Sequence, residues 1–343
     1  WRDIGIPEPG PFADATFYVP QQLGAEAAEQ RGREALPYSW GLEDLIERNL
    51  FPYIFAEDDR EDDNFAGLLS MIERMLARER IEEGRVVLRM LDRDKAPNTP
   101  RTLSTLTDWV GDQLDNGLPS LRNQHHGTVS KLYRRLLRIV QSGSGVLRVQ
   151  EPRGHPLDVT ATETVPPRVV DIAAIGDAGL QRFVVGAIVR QIADARVGPR
   201  AVRGLRYLLM LDELNRWAPR GARDPITKLI ERVAAEMRSQ GVVLLGAQQQ
   251  ASQVSEKVIE AAAIRMLGRT GSLELEQTVW KSVPPAFRRL VTGLRKEEKV
   301  VLTPSARQPM IIRMPCPAWA MNQEDVAFTR PVNGRLPRTE RED

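Results

Sequence analysis

The stretch LRYLLMLDELNRWAP (residues 205–219) runs apolar through YLLML and then ends on Asp212 and Glu213, side by side. Adjacent carboxylates at the end of a buried strand suit the hydrolysis of a nucleoside triphosphate. The first would hold Mg²⁺ through water molecules, and the second would align or deprotonate the attacking water. Three structural roles compete with this chemistry. The carboxylates could cap the next helix, pair with a local arginine such as Arg216, or be solvated at a strand end.

A second polar side chain follows the next apolar run. The stretch VVLLGAQQQ (residues 242–250) places Gln248 just after its apolar residues. Chemistry in an open parallel sheet lies at the carboxyl ends of the strands, so Gln248 would lie beside Asp212 and Glu213 if the two runs form neighbouring strands. A glutamine there can sense the γ-phosphate or orient the attacking water. Its structural alternative is a strand-end amide that hydrogen-bonds to a loop.

The elements around these residues alternate between strand and helix. Strands are predicted in PPRVVDIAAI, YLLML and VVLLGA, with the last two buried on both sides. Helices are predicted in LQRFVVGAIVRQIADARVG and in DPITKLIERVAAEMRSQG, where Asp224 is the N-cap and Pro225 occupies the first turn. Further strands are predicted in ATFYVP and GVLRV, and a hairpin in KVVLTPSARQPMIIRMP. This order predicts an α/β fold with a mostly parallel sheet.

Residues 40–142 have helical periodicity instead. Apolar side chains recur at spacings of three and four residues, as in Phe65, Leu68, Leu69, Ile72, Met75 and Leu76, in Leu103, Leu106, Val110 and Leu114, and in Val129, Leu132, Tyr133, Leu136, Leu137 and Val140. These stripes predict a small helical bundle. We therefore predict the start of the α/β core at residues 1–39, an inserted bundle at 40–142, the remaining core at 143–331, and a polar tail at 332–343.

Composition excludes several classes of protein. One cysteine and three histidines leave no CxxC pair and no HExxH helix, so neither a disulfide framework nor a zinc site is predicted. No apolar run approaches the roughly eighteen residues that span a bilayer, and no signal layout opens the chain, so a cytoplasmic protein without a membrane anchor is expected. Arginine far outnumbers lysine, which suits bidentate binding of phosphates but also follows from a GC-rich genome.

Over residues 169–317 the sequence resembles the HerA and FtsK branch of hexameric P-loop ATPases, and HerA most closely. The resemblance lies in RVVDIAAI, LLMLDE, AEMRSQGVVLLGAQQQ, SEKVIEAAAIRMLGRTG and the closing hairpin. It implies a RecA-like core that binds ATP and Mg²⁺, with Asp212 on the metal, Glu213 as the water-activating base and Gln248 as the γ-phosphate sensor. It also implies that Arg238, in AEMRSQG, reaches the nucleotide of a neighbouring subunit as an arginine finger. Without the resemblance, Arg238 is a cation in the last turn of a helix, where it is favourable anyway.

One part of the family pattern is missing. The sequence contains no GxxxxGK[ST] loop, whose backbone amides and lysine bind the phosphates of the nucleotide. In the family this loop precedes the inserted bundle. Since the chain also opens on Trp1, we expect the loop, and an N-terminal β-barrel domain, to lie upstream of residue 1.

The resemblance implies a homo-oligomeric ring, expected to be a hexamer, that moves double-stranded DNA. Its implied partner is a nuclease or another effector protein, in DNA end processing or anti-phage defence. Arg216, Arg220 and Arg223, in the loop NRWAPRGARDP, could contact DNA or form salt bridges between subunits. Two alternatives stay open. One is a ring scaffold without motor activity that assembles an effector, and the other is a conjugative or chromosome-segregation DNA pump.

Overall fold

A computed structural model describes residues 15–21, 35–55, 59, 62–82, 85–121, 123–142, 145–160, 163, 165–196, 204 and 206–314. The chain divides into a larger unit, Thr16–Ala262, and a smaller unit whose described part is residues 263–314. The predicted tail at 332–343 and the sequence before residue 15 lie outside the described residues.

One group of parallel strands begins the larger unit. Strand β1 (Thr16–Pro20) lies between β2 (Ala35–Tyr38) and β5 (Arg168–Val170), and both pairings are parallel. The strand predicted in ATFYVP is therefore present. The strand predicted in GVLRV is wrong, because Leu147 forms only an isolated bridge with Trp40. The ladder cannot lengthen there, since helix α1 (Leu42–Glu47) begins two residues after Trp40.

A second parallel pair carries the predicted site. Strand β6 (Tyr207–Leu211) pairs with β7 (Val242–Gly246) from Tyr207 opposite Val242 to Leu211 opposite Gly246. Helices α6 (Leu214–Trp217) and α7 (Pro225–Glu236) connect the two strands, and α5 (Ala178–Arg196) precedes β6. Gly186 lets α5 approach α7 closely, because a Cβ at this position would lie 3.0 Å from the Ile226 side chain. The predicted order of strand, helix and parallel strand is confirmed.

The prediction that β6 and β7 are buried on both sides is wrong. Leu208 and Met210 of β6 are each 68% exposed, and Val243 and Leu245 of β7 are 43% and 48% exposed. Alternate residues such as Leu211 and Val242 are buried. This alternation arises because helices α5 and α7 cover one face of the pair, while no described element covers the other. A continuous apolar run therefore does not show here that both faces are covered.

Residues 40–142 contain the predicted helices and one unpredicted hairpin. Helices α2 (Asp63–Leu76), α3 (Leu103–Asp115) and α4 (His126–Gln141) bury most of their predicted apolar stripes. Between them, β3 (Ala77–Glu82) and β4 (Arg85–Met90) pair antiparallel. The hairpin was not predicted because neither strand, ARERIE or RVVLRM, alternates strictly between charged and apolar residues.

A single hydrophobic core joins the helical segment to the strands of the larger unit. Phe183 of α5 packs edge-on against Trp40 with ring centroids 5.1 Å apart, and the buried faces of α2, α3 and α4 belong to the same cluster. The predicted boundaries at residues 39, 142 and 331 stay predictions.

The smaller unit is an antiparallel sheet with short helices. Strand β9 (Glu298–Leu302) lies between β8 (Arg265–Leu267) and β10 (Met310–Arg313), which confirms the predicted closing hairpin. Helices α9 (Ser272–Leu275) and α10 (Pro285–Val291) help to bury Leu267 and Val300, whereas α8 (Glu256–Ala261) belongs to the larger unit. Within the described residues, no helix combines the length and the apolar character needed to cross a bilayer.

A half-buried carboxyl on α2, that of Glu73, makes the stability of the fold depend on pH. Burial raises the pKa of Glu73 from 4.5 to about 7. Because the folded-state pKa is above the unfolded value, protonated Glu73 stabilises the fold fully below pH 4.5, and this contribution is lost as the pH rises through about 7. We expect Glu73→Gln to gain about 2 kcal/mol in free energy of unfolding relative to wild type between pH 5 and pH 8. Urea denaturation at both pH values measures this difference. An equal effect from Glu79→Gln, a substitution at an exposed position of β3, would contradict the assignment.

Candidate functional site

The parallel ladder brings Asp212, Glu213 and Gln248 to one edge. Beyond the last strand residues, the Ala247 amide donates to the Leu211 carbonyl at 3.0 Å, and the Leu214 amide donates to the Ala247 carbonyl at 2.9 Å. These bonds hold the segment after β7 against the segment after β6. The prediction that two adjacent strands deliver these polar side chains to the same edge is confirmed.

Glu213 has a backbone conformation that non-glycine residues rarely adopt. Its φ is 47° and its ψ is 55°, in the left-handed region, which costs an L-residue about 1–2 kcal/mol. Local bonds hold this turn. The Trp217 Nε1 donates to the Asp212 carbonyl at 2.7 Å, and the Glu213 amide donates to Asp212 Oδ1 at 2.9 Å. Strain of this kind concentrates at functional sites, where the surrounding structure compensates for it.

The capping alternative does not explain Glu213. The residue occupies the N-cap position of α6, but its side chain makes no cap hydrogen bond. Arginine pairing is present, since Arg216 Nη1 lies 3.3 Å from Glu213 Oε2. Both side chains are more than two-fifths exposed, so the pair contributes at most about 1 kcal/mol. Neither local interaction requires the strained backbone.

Gln248 carries a buried oxygen without a described partner. Its Oε1 is shielded from solvent and accepts no hydrogen bond from a described residue. An unsatisfied buried acceptor costs about 1–3 kcal/mol. The strand-end amide that bonds to a loop, the structural alternative for Gln248, is therefore not observed for this oxygen. A ligand or ordered water bound at the edge would supply the missing donor.

A buried ion pair between Asp224 and Arg182 stabilises the loop that carries the carboxylates. The sequence analysis identified Asp224 but not Arg182. Asp224 is fully buried, caps α7 as predicted, and lies 3.0 Å from Arg182 Nη2 on α5. A second nitrogen of Arg182 donates to the Arg216 carbonyl, in the helix that follows Glu213. Arg182 thus ties α5 and α7 to the loop. The sequence does contain a signal for this role, because Arg182 is a charged residue among the apolar residues of α5.

The loop arginines predicted to contact DNA or neighbouring subunits are engaged within the chain. Arg216 lies 5.2 Å above the Trp217 ring and donates to Gln181, in addition to its bond with Glu213. Arg220 pairs with Glu256 of α8, and its backbone amide donates to the Gln253 carbonyl at 2.8 Å. Arg223 is exposed. Contact of these three arginines with DNA or another subunit stays a prediction.

Arg238 lies far from the carboxylates. Helix α7 ends at Glu236, so the prediction that Arg238 occupies its last turn is wrong, and the residue lies in the turn before β7. Gly241, with a φ of 83°, closes this turn. The turn is at the amino end of β7, one strand length of roughly 16 Å from the carboxyl edge. Arg238 lines a cleft of about 370 Å³ together with Arg196 and Arg206, two residues that sequence reasoning did not identify.

The donor set fits Mg²⁺ bound mainly through water and phosphate. No group of three or more potential protein ligands occurs within the described residues, so the carboxylate edge is not an all-protein metal cage. Mg²⁺ commonly keeps several waters and takes one or two carboxylates together with substrate phosphates. Asp212 is exposed and only its Oδ1 accepts a described hydrogen bond, so Oδ2 is available to a metal-bound water.

No protein-family model matches this sequence, and no curated protein does. Among solved structures, the plasmid coupling protein TrwB, in complex with a non-hydrolysable ATP analogue, matches with a TM-score of 0.53 and 11% identity over 88% of this chain and 85% of TrwB. VirB4 of Thermoanaerobacter pseudethanolicus matches with a TM-score of 0.50 and 14% identity over 88% of this chain and 81% of VirB4. The genome packaging NTPase B204 from Sulfolobus turreted icosahedral virus 2 covers 46% of this chain, with a TM-score of 0.33 and 12% identity over 74% of its own length. The TrwB and VirB4 likenesses confirm the predicted RecA-like α/β fold class.

The strained backbone of Glu213 has a measurable cost. Glycine adopts the left-handed region without a Cβ penalty, whereas alanine retains the penalty. We expect Glu213→Gly to exceed Glu213→Ala by about 1 kcal/mol in free energy of unfolding, as measured by urea denaturation. Both variants lose the carboxylate and its pairing with Arg216. The difference between their free energies of unfolding therefore reports on the backbone conformation at position 213. Because glycine loses about 0.5–1 kcal/mol more conformational entropy than alanine on folding, a Glu213→Ala variant that is more stable than Glu213→Gly by this amount would show that the conformation is not strained.

The buried pair of Arg182 and Asp224 can be tested in the same way. Asp224→Ala removes the cap of α7 and leaves the Arg182 charge buried beside it, so we expect a loss of about 3 kcal/mol or more in free energy of unfolding. Asp224→Asn keeps an oxygen for the cap and should lose less. If Asp224→Asn is as stable as wild type, the charge of Asp224 does not contribute to the fold.

Proposed function

We propose that this chain is the catalytic core of a ring-shaped ATPase that moves DNA. The observation that carries the proposal is the strained Glu213 beside Asp212 at a parallel strand edge, next to the buried acceptor of Gln248. Each feature costs stability and has no structural benefit within the described chain. A triphosphate and an attacking water at this edge would use all three side chains together.

The positions of the side chains support the following roles. Asp212 would hold Mg²⁺ through water, and the metal would supply positive charge that neutralises the phosphates. The Glu213 carboxylate accepts the proton of the attacking water, and Gln248 Oε1 accepts a hydrogen bond from the same water and so orients it. Arg216, which pairs weakly with Glu213, can release the carboxylate when the substrate is in place, since the exposed pair contributes little.

A phosphate-binding loop would complete this site, and two features of the described strands support its position there. Among the described strands, β6 pairs only with β7, so its other edge is open. The exposed face of this pair, formed by Leu208, Met210, Val243 and Leu245, also needs cover, because parallel sheets are normally buried on both faces. A strand, a GxxxxGK[ST] loop and a helix would pair with the open edge, bind the phosphates beside Asp212, and cover the exposed face.

The position of Arg238 supports assembly into a ring. The residue lies at the opposite end of the strands from Glu213, so it cannot reach a nucleotide bound at the carboxylate edge of its own subunit. In a head-to-tail ring, expected to be a hexamer, it would reach the neighbour's nucleotide as an arginine finger. Double-stranded DNA is the substrate that the ring moves, and Arg216, Arg220 and Arg223 are its candidate contacts.

Two biological roles are candidates for the motor, and they differ in the protein or process with which the ring would work. A ring of the HerA type works with a nuclease or another effector in DNA end processing or anti-phage defence. A conjugative DNA pump is the second candidate, because the fold extends over 89% of this chain in a structure of the bacterial conjugative coupling protein TrwB. Recovery of a bound nuclease would support the first candidate, and transfer of DNA between cells that depends on the gene would support the second.

Steady-state ATP hydrolysis tests the catalytic proposal. We expect the full-length protein to hydrolyse ATP, faster with double-stranded DNA, and Glu213→Gln and Arg238→Ala to lose about a hundredfold or more in turnover. Phosphate release measures turnover, and light scattering shows whether the rings persist.

The matched control is Arg232→Ala. This exposed arginine lies on α7 and, among the described residues, pairs only with Glu236 of the same helix, so its loss should leave turnover near the wild-type value. If wild type and both site variants release phosphate at the same background rate, the motor proposal is overturned, and a ring scaffold that assembles an effector becomes the better account.

A further inference from the structure

Three arginines converge on one cleft at the amino end of the site strands. Arg196 ends α5, Arg206 directly precedes β6, and Arg238 lies in the turn before β7. The cleft measures about 370 Å³, and no acidic residue is among the described residues that line it. Three positive charges without a lining carboxylate repel one another, so the arrangement favours an anion.

Two of these guanidinium groups are uncommitted within the described chain. Neither Arg206 nor Arg238 makes a side-chain hydrogen bond or an ion pair with a described residue, and both side chains are exposed. Several other arginines of the larger unit contact a carboxylate, as Arg182, Arg216 and Arg220 do. What distinguishes Arg206 and Arg238 is that both line the same cleft, where they can bind one partner from outside the chain.

Arg196 acts on the turn that carries Arg238. Its Nε donates to the Gln240 carbonyl at 2.6 Å, in the turn that Gly241 closes. The Gly241 carbonyl in turn accepts from the Tyr207 amide at 2.9 Å, which joins this turn to the first residue of β6. The parallel register thus sets Arg206, one residue earlier, level with Gly241. The backbone itself holds the two free guanidinium groups on the same cleft.

The chemistry of the cleft selects phosphate. A guanidinium group binds a phosphate through two parallel N–H bonds, and two such groups can neutralise adjacent phosphates of one chain. A cleft of about 370 Å³ is large enough for an oligophosphate. The remaining question is whether the phosphates belong to a nucleotide or to a nucleic acid backbone.

We propose that Arg206 acts with Arg238 on the phosphates of a nucleotide held by the neighbouring subunit, and that Arg196 is a positioning residue for Arg238. This inference rests on the proposed function. The cleft and the carboxylate edge lie at opposite ends of the same two strands, so a head-to-tail contact brings one subunit's cleft to its neighbour's edge. The carboxylate edge lacks cationic groups other than the paired Arg216 among its described residues, and the neighbour's cleft supplies two.

Mixed rings test this shared site. Full-length Arg206→Ala keeps its carboxylate edge but loses its cleft, while Glu213→Gln keeps its cleft but loses its edge. Each variant alone should fall well below wild type, Arg206→Ala by about tenfold or more. When the two are co-expressed in equal amounts under separate tags and purified as mixed rings, turnover should recover to about a quarter of wild type. The reason is that one interface in four then joins an intact edge to an intact cleft.

Two further variants sharpen the test. Arg206→Lys keeps the charge but loses the bidentate geometry, so we expect it to retain more activity than Arg206→Ala while remaining below wild type. Arg232→Ala, outside the cleft on α7, should match wild type alone and in mixed rings. A thermal unfolding midpoint equal to wild type shows that Arg206→Ala has not simply unfolded.

The possible outcomes distinguish a failure of the shared cleft from a failure of the proposed ATPase activity. Normal turnover in Arg206→Ala while Glu213→Gln is inactive overturns the shared cleft and leaves the ATPase standing. Failure of mixed rings to recover shows that the cleft does not act across the interface, and overturns it too. Normal basal turnover with weaker, less salt-dependent DNA binding in Arg206→Ala assigns the cleft to a nucleic acid backbone instead. Absence of hydrolysis in wild type overturns both proposals.

Discussion

The parallel register between β6 and β7 is the constraint on which both ends of the site depend. Setting Tyr207 opposite Val242 and Leu211 opposite Gly246 places Asp212, Glu213 and Gln248 at one edge. The same register places Arg206 beside the turn of Arg238 at the other edge. A shift by one residue would turn every side chain of one strand to the other face, so neither constellation would survive it. Helices α5 and α7 fix the register by packing on the buried face.

The carboxylate edge contains residues that destabilise the fold, and an ion pair next to it stabilises the fold. Glu213 has a left-handed backbone and Gln248 has a buried acceptor without a described donor, and both are unfavourable in the isolated chain. Just below, Asp224 combines a helix cap with a buried ion pair to Arg182, which also bonds to the carbonyl of Arg216. The strained loop is therefore anchored by a network that contains none of the three proposed catalytic groups.

The sequence patterns predicted where strands end and helices begin better than they predicted which residues pack against them. The carboxylates, Gln248 and the cap at Asp224 were identified because each follows or precedes an apolar run, and strand ends and helix caps are local properties. The exposure of Leu208 and Met210 was missed, because an apolar run does not show whether another element of the described chain packs on each face of the strand. Arg206 was missed since its meaning depends on Arg238, which is distant in sequence and becomes a neighbour only through the register.

The two ends of strands β6 and β7 present side chains of opposite charge, with carboxylates at one end and guanidinium groups at the other. The carboxylate edge presents Asp212 and Glu213 without a phosphate-binding loop, while the cleft presents Arg206 and Arg238 without an anion. A nucleotide between two copies would satisfy both, because its phosphates can bridge the metal at one edge and the guanidinium groups of the other. Ring assembly and catalysis would then depend on one ligand. The energy of assembling the ring and the energy of binding the nucleotide would be linked, so each would strengthen the other by the same factor.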